Sequence, residues 1–171
     1  MGIRKIFTII WQINTHIRIS RFLYYKIPFI GKYISLFIDR FLLIIYGIEL
    51  MSFSINVKKL SITHPSGVLL GGNGIYSSGR VVMMAGVKLG GRSPKDKEFL
   101  LKHKEKKVFE FGDNVVIGTN SVVLGPITIC DNVIIGSMSL VNKSITEPGI
   151  YVGVPVKKVS DVANEDWVSH L

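Results

Sequence analysis

Residues 112–146 read GDNVVIGTNSVVLGPITICDNVIIGSMSLVNKSIT, and their spacing decides the fold. Val115, Ser121, Ile127, Val133, Ser139 and Ile145 recur every six residues, and Ile117, Val123, Ile129, Ile135 and Val141 form a companion column two places later. Residues two apart in a strand point to one face, so each unit offers two inward side chains and then turns a corner; three units close an 18-residue coil. Asp113-Asn114 and Asp131-Asn132 recur one coil apart, as do Gly118 and Gly136. Glycine and asparagine suit such corners because both tolerate left-handed backbone. A β-sandwich does not explain two registered columns of period six. The expected fold is mainly β, a parallel β-helix.

Working outward, a weaker version of the rhythm places Leu69, Ile75, Val81 and Val87 in step, with Met83 and Leu89 in the companion column. Between the two stretches, residues 92–107 include the run SPKDKEFLLKHKEKK, too charged for a wall and too long for a corner. They read as a protruding loop, of the kind that often carries function. The expected organisation is an N-terminal helical segment over 1–48, a β-helix over 49–160 with the excursion at 92–107, and a tail over 161–171. A solenoid needs covered ends. The helices are expected to cover one end, and the tail with Trp167 to help cover the other.

The first 48 residues are aliphatic and aromatic, punctuated by Arg4, Lys5, Arg18, Arg21, Lys26, Lys32 and Arg40, with Asp39 as their one acid. Pro28 and Gly31 split the segment into two expected helices, near residues 3–26 and 32–46. The longest uncharged stretch here, residues 41–48, is far short of the roughly 20 apolar residues that span a bilayer. A secretory signal is not expected either, since charges soon return and no small-residue cleavage site follows. Packing on the body or on a neighbouring subunit is the first reading of these helices; an amphipathic anchor on an anionic membrane face is the second.

The chain has 171 residues, 47% of them hydrophobic, enough for one core without disulfides; its single Cys130 permits a reducing, cytoplasmic setting. A formal charge of +9 makes phosphates, acidic glycans and anionic lipids attractive partners. Nucleic acid is not expected, because neither a cysteine-histidine finger nor a basic strand with interleaved aromatics accompanies the charge.

Four pieces carry a resemblance to the hexapeptide-repeat acyltransferases of the serine acetyltransferase branch and its polysaccharide-modifying relatives. They are Tyr46-Gly47-Ile48-Glu49, His64-Pro65-Ser66-Gly67, Val87-Lys88-Leu89-Gly90-Gly91, and the last coil leading into Gly153-Val154-Pro155-Val156-Lys157-Lys158-Val159. The resemblance implies a left-handed β-helix, a homotrimer or dimer of trimers, and acetyl-CoA lying between neighbouring coils. It implies His64 as general base and Glu49, fifteen residues earlier, as its acidic partner. A carboxylate on one ring nitrogen fixes the tautomer while the other nitrogen takes the acceptor's proton. For acetyl-CoA it points to Gly90, Thr119 and Ser137 along the pantetheine arm, and to Lys157 or Lys158 for the phosphates. No metal is expected, because the related γ-class carbonic anhydrases need three wall histidines. His16 and His170 read as structural or solvated, and Cys130 as structural.

Serine acetyltransferases carry an Arg-His-Pro piece for the acceptor just before the next coil, near Val108 in this sequence. His103 lies five residues away within an enlarged lysine-rich loop, so that role is not transferred. With this departure and the short helical segment, the expected reaction is O-acetylation of a sugar hydroxyl in a surface polysaccharide or its precursor, with possible peripheral contact at the inner membrane face. Serine O-acetylation is the alternative within the same chemistry. A non-enzymatic scaffold is the alternative outside it.

Overall fold

The computed structural model describes residues 8–71, 73–92 and 95–161. Helices α1 (Ile9–Lys26) and α2 (Ile30–Tyr46) precede a run of short strands. The second begins two residues earlier than anticipated; the first ends at the expected Lys26 but begins at Ile9, and residues 3–7 of the expected helix lie outside the described residues. Thr8 caps α1 through its side chain, and Gly47, in left-handed conformation, ends α2.

The strands wind into five parallel coils with three walls. The first wall stacks β1 (Glu49–Leu50), β3 (Leu69–Leu70), β5 (Lys88–Gly91), β8 (Val122–Gly125) and β11 (Leu140–Val141). The other two are the halves of a sheet bent by long strands β2 (Ile55–Ile62) and β4 (Ile75–Met83). One half carries β6 (Phe109–Phe111), β9 (Ile127–Ile129) and Ile145; the other carries β7 (Val115–Ile117), β10 (Val133–Ile135) and β12 (Gly149–Val152). Strand β13 (Lys157–Ser160) pairs antiparallel with β12 at the far end. The tail with Trp167 lies outside the described residues.

Every residue of the two period-six columns over 115–145 is buried. Ser121 and Ser139 are tolerated inside because each hydroxyl bonds backbone: Ser121 Oγ donates to Gly136 O and accepts from Ser139 N, and Ser139 Oγ accepts from Gly153 N. The Asp-Asn corners form ladders too. Asp113 Oδ1 accepts from Arg80 N, Asp131 Oδ1 accepts from Asp113 N, and Asn114 donates to Asn132. The earlier columns need one correction. Leu69 is half-exposed whereas Val68 and Leu70 are buried, because the connection over residues 71–74 before Ile75 shifts the phase.

The excursion over 92–107 is not simply a loop. It carries helix α3 (Lys97–Lys104), N-capped by Asp96, whose Phe99 is buried in the main core and approaches Gly91. Lys106 and Lys107 then lie over the rings of Tyr25 and Tyr76, pinning the excursion to α1 and to the wall.

The helices cover the first coil. Ile13, Ile17 and Leu42 join the solenoid core, Asn14 donates to Leu60 O, and Tyr25 Oη donates to Phe53 O. At their interface Asp39 is buried, accepting from Ser52 N at 2.8 Å and Ser52 Oγ at 2.7 Å, with His16 Nε2 at 3.5 Å. Burial works to raise the Asp39 carboxyl, but His16, Ser52 and Ser20 outweigh it, and the net shift is downward.

Candidate active site

One edge of the prism gathers the features with chemical potential. It is the corner between the β2–β4–β7–β10 wall and the β3–β5–β8–β11 wall. In three coils this corner spans four residues, 84–87, 118–121 and 136–139, fixed by the pairings that flank it. In the first coil the corresponding stretch is 63–68, two residues longer. His64 sits in that enlarged corner, exposed, with φ of 55°. A histidine in left-handed backbone is uncommon, and it places the imidazole outside the regular turn. Its neighbour Pro65 is buried.

The regular part of this edge is built on a second left-handed column. Gly47 (φ 65°), Gly67 (73°), Gly86 (70°), Asn120 (58°) and Met138 (59°) occupy equivalent turns. Backbone bonds tie them coil to coil: Gly67 N to Gly47 O, Gly86 N to Ser66 O, Asn120 N to Ala85 O and Met138 N to Thr119 O.

Along the same edge runs a groove of about 330 Å³, lined by Met84, Val116, Gly118, Ile134, Ile135, Gly136, Ser137 and Ile150. Its floor includes the outward positions Val116 and Ile134, which form a small apolar cluster of their own with Val82, Met84 and Ile150. Outward strand positions facing water are ordinarily polar, so valine and isoleucine in these slots were a readable sign of a covered surface.

Glu49 is exposed at the start of β1, pairing with Leu69, and borders a separate cavity of about 200 Å³ with Leu36, Arg40 and Gly71. Among the described residues no hydrogen bond or ion pair joins Glu49 to His64. The contact that the resemblance implies is thus not made by the chain alone; Glu49 stands at the start of the wall and His64 in the enlarged corner.

Of the residues assigned to acetyl-CoA, Ser137 lines the groove and Thr119 stands at the corner between two groove-lining coils. Gly90 lies on β5, opposite Leu124 and away from the groove. Lys157 and Lys158 lie on β13; Lys158 Nζ is engaged by Glu147 at 3.1 Å and Asp161 at 2.8 Å, and those carboxylates raise its pKa further. A phosphate would have to compete with both, so Lys157 is the freer of the two lysines. Burial pushes the Cys130 thiol up, which disfavours a thiolate nucleophile. His16 serves the Asp39 network, His103 stacks on Phe99 in α3, and His170 lies outside the described residues. Among the described residues no group of three or more histidine, cysteine or acidic side chains could hold a metal.

The coil geometry and the repeat together define a hexapeptide-repeat protein of left-handed β-helix type, and part of the chain is similar to hexapeptide-repeat transferases. The family model described as bacterial transferase hexapeptide (six repeats) matches residues 110–143. A serine acetyltransferase of Staphylococcus epidermidis is 36% identical over 109 residues, which is 64% of this chain and 47% of that protein. The chain thus spans about half the length of the curated relatives it matches. The crystal structure of Neisseria gonorrhoeae serine acetyltransferase superposes with a TM-score of 0.71 at 23% identity, covering 92% of this chain and 57% of that one. The Brucella abortus serine acetyltransferase in complex with coenzyme A gives 0.70 at 19%, covering 88% and 56%.

Proposed function

We propose that this protein is an acetyl-CoA-dependent O-acetyltransferase of serine acetyltransferase type, with His64 as general base. The observation that carries the proposal is the enlarged corner that presents His64 on the same edge as the apolar groove. With coils about 4.8 Å apart, the corner of Gly136 lies roughly 14 Å from that of His64, a span suited to an extended pantetheine arm. Such an arm would run past Ser137 and Thr119 with its thioester toward His64 and its nucleotide toward Lys157. Coenzyme A in the Brucella relative supports this choice of donor.

In the reaction, one imidazole nitrogen of His64 removes the proton of the acceptor hydroxyl as its oxygen attacks the thioester carbonyl. The carbon–sulfur bond then breaks, and the imidazolium returns the proton to the leaving thiolate. Glu49 is the acid this reading assigns to orient the ring once acceptor or a second subunit is in place. A homotrimer is the assembly this reading expects, in the cytoplasm where acetyl-CoA is available.

Serine is the acceptor favoured by the relatives, all named for it. A sugar hydroxyl in polysaccharide assembly is the second reading, favoured by the excursion over 92–107, where a lysine-rich segment with helix α3 stands in place of an Arg-His-Pro piece. Thiol release from acetyl-CoA, measured with purified protein against serine and a panel of sugars, tests both. Turnover with serine exceeding every sugar supports the first; the reverse order supports the second. Absence of acetyl-CoA binding would sink both and leave a scaffold.

A further inference from the structure

Helix α2 is turned inside out. Its buried positions are Gly31, Ser35, Asp39 and Leu42, three of the four small or polar. Its solvent side carries Ile30, Tyr33, Phe37, Phe41 and Ile44, with Tyr33 77%, Phe37 67% and Ile44 78% exposed. At 100° per residue these five fall within about a quarter of the helix circumference. Soluble helices point such a stripe at the core, and contiguous exposed apolar surface marks a docking site. Helix α1 adds Ile19 and Phe22, 53% and 60% exposed, and Phe29 between the helices is 86% exposed.

The polar residues around this surface identify its partner. Arg18, Lys26, Lys32 and Arg40 are exposed. The one acid among residues 8–48 is Asp39, withdrawn into the interface with Ser52 and His16. Apart from Glu49, which borders Arg40, the surface is apolar, aromatic and positive, and it matches an anionic lipid headgroup layer over acyl chains. A second copy docking through the same face would set cation against cation. No described helix is long and apolar enough to cross a membrane, which leaves contact in the plane of the interface.

We propose that the exposed face of α2, with the adjoining residues of α1, docks on an anionic lipid surface. The inference stands on the helices alone and does not depend on acetyl transfer.

Co-sedimentation of the full chain with phosphatidylcholine vesicles, with and without phosphatidylglycerol, tests it. Binding to the anionic vesicles should exceed binding to neutral ones by about tenfold or more, and should weaken in high salt. The combined variant Tyr33→Ser, Phe37→Ser, Ile44→Ser should lower binding at least about tenfold while far-ultraviolet dichroism stays unchanged. Arg18→Gln with Arg40→Gln removes two exposed cations that make no side-chain hydrogen bond, ion pair or ring contact among the described residues and should abolish the preference for anionic lipid, which keeps the test decisive if the triple variant misfolds. Failure of the wild-type chain to sediment with anionic vesicles would overturn the proposal. So would unchanged binding by the charge variant, or light scattering that shows the triple variant breaking up a larger assembly while wild type ignores vesicles.

Discussion

Asp39 is a buried carboxylate at the junction of the helices and the first coil. It is 4% exposed, holds Ser52 of the first coil through two hydrogen bonds and lies 3.5 Å from His16 of α1. Removing one partner of a buried charged network leaves the others unsatisfied, so Asp39→Ala should cost about 3 kcal/mol, read as a lower denaturation midpoint. Because its folded carboxyl titrates below the 3.8 of the free side chain, its contribution is complete above about pH 5 and disappears as pH falls through the depressed folded value. The acid limb of a stability–pH curve should be shallower in Asp39→Asn than in wild type. At the candidate site, His64→Ala should abolish acetyl transfer while acetyl-CoA binding, followed by calorimetry, persists. An active His64→Ala protein would refute the base assignment. Nothing in the sequence marked Asp39 beyond its isolation among basic and apolar residues, since its partners Ser52 and His16 are brought to it by the docking of two helices on the first coil.

At the scale of the element, the corner column argues for its own composition. Gly86 has φ of 70°, and a Cβ there would stand 1.9 Å from Asn120 Oδ1. Gly86→Ala should therefore lose about 1–3 kcal/mol, with the midpoint of chemical denaturation as the measure. The same corner locates the groove, whose floor residue Ile134 is 8% exposed. Ile134→Trp should fill the groove and weaken acetyl-CoA binding at least about tenfold, or 1.4 kcal/mol, without comparable loss of fold. Unchanged affinity would place the donor elsewhere. The Asp-Asn corners and the two inward columns were legible because one side-chain pattern repeats in each coil. Helix α3 was not, as an eight-residue helix in a lysine-rich run has a weak pattern and is fixed by one buried contact, Phe99.

For the whole molecule, the helix pair closes the open end of a solenoid. Ile13 is 1% exposed where α1 meets the coil, and Ile13→Ala should cost about 2–4 kcal/mol; hydrogen exchange should show the loss of protection concentrated in α1 and the first coil. Equal loss across all coils would argue for a single cooperative unit. Two exposures compete on this end: the cap must pack, and it also presents its apolar stripe outward. Packing on the body and contact with a lipid surface, set apart as alternatives by the sequence, are compatible once the buried and exposed faces of α2 are seen separately.

The six-residue repeat and the identity of its inward residues determined the β-helix by themselves, because alternation on a strand is local and each coil repeats the same steric problem. The family likeness at Glu49 and His64 is also present in the linear pattern. The placement of His64 is not, since it depends on a corner two residues longer than its neighbours, visible only when the coils are stacked in register. The groove beside Met84, the seating of Asp39 and the outward apolar stripe of α2 likewise arise from which faces meet. Such facts depend on packing between segments distant in sequence, and no local pattern encodes them.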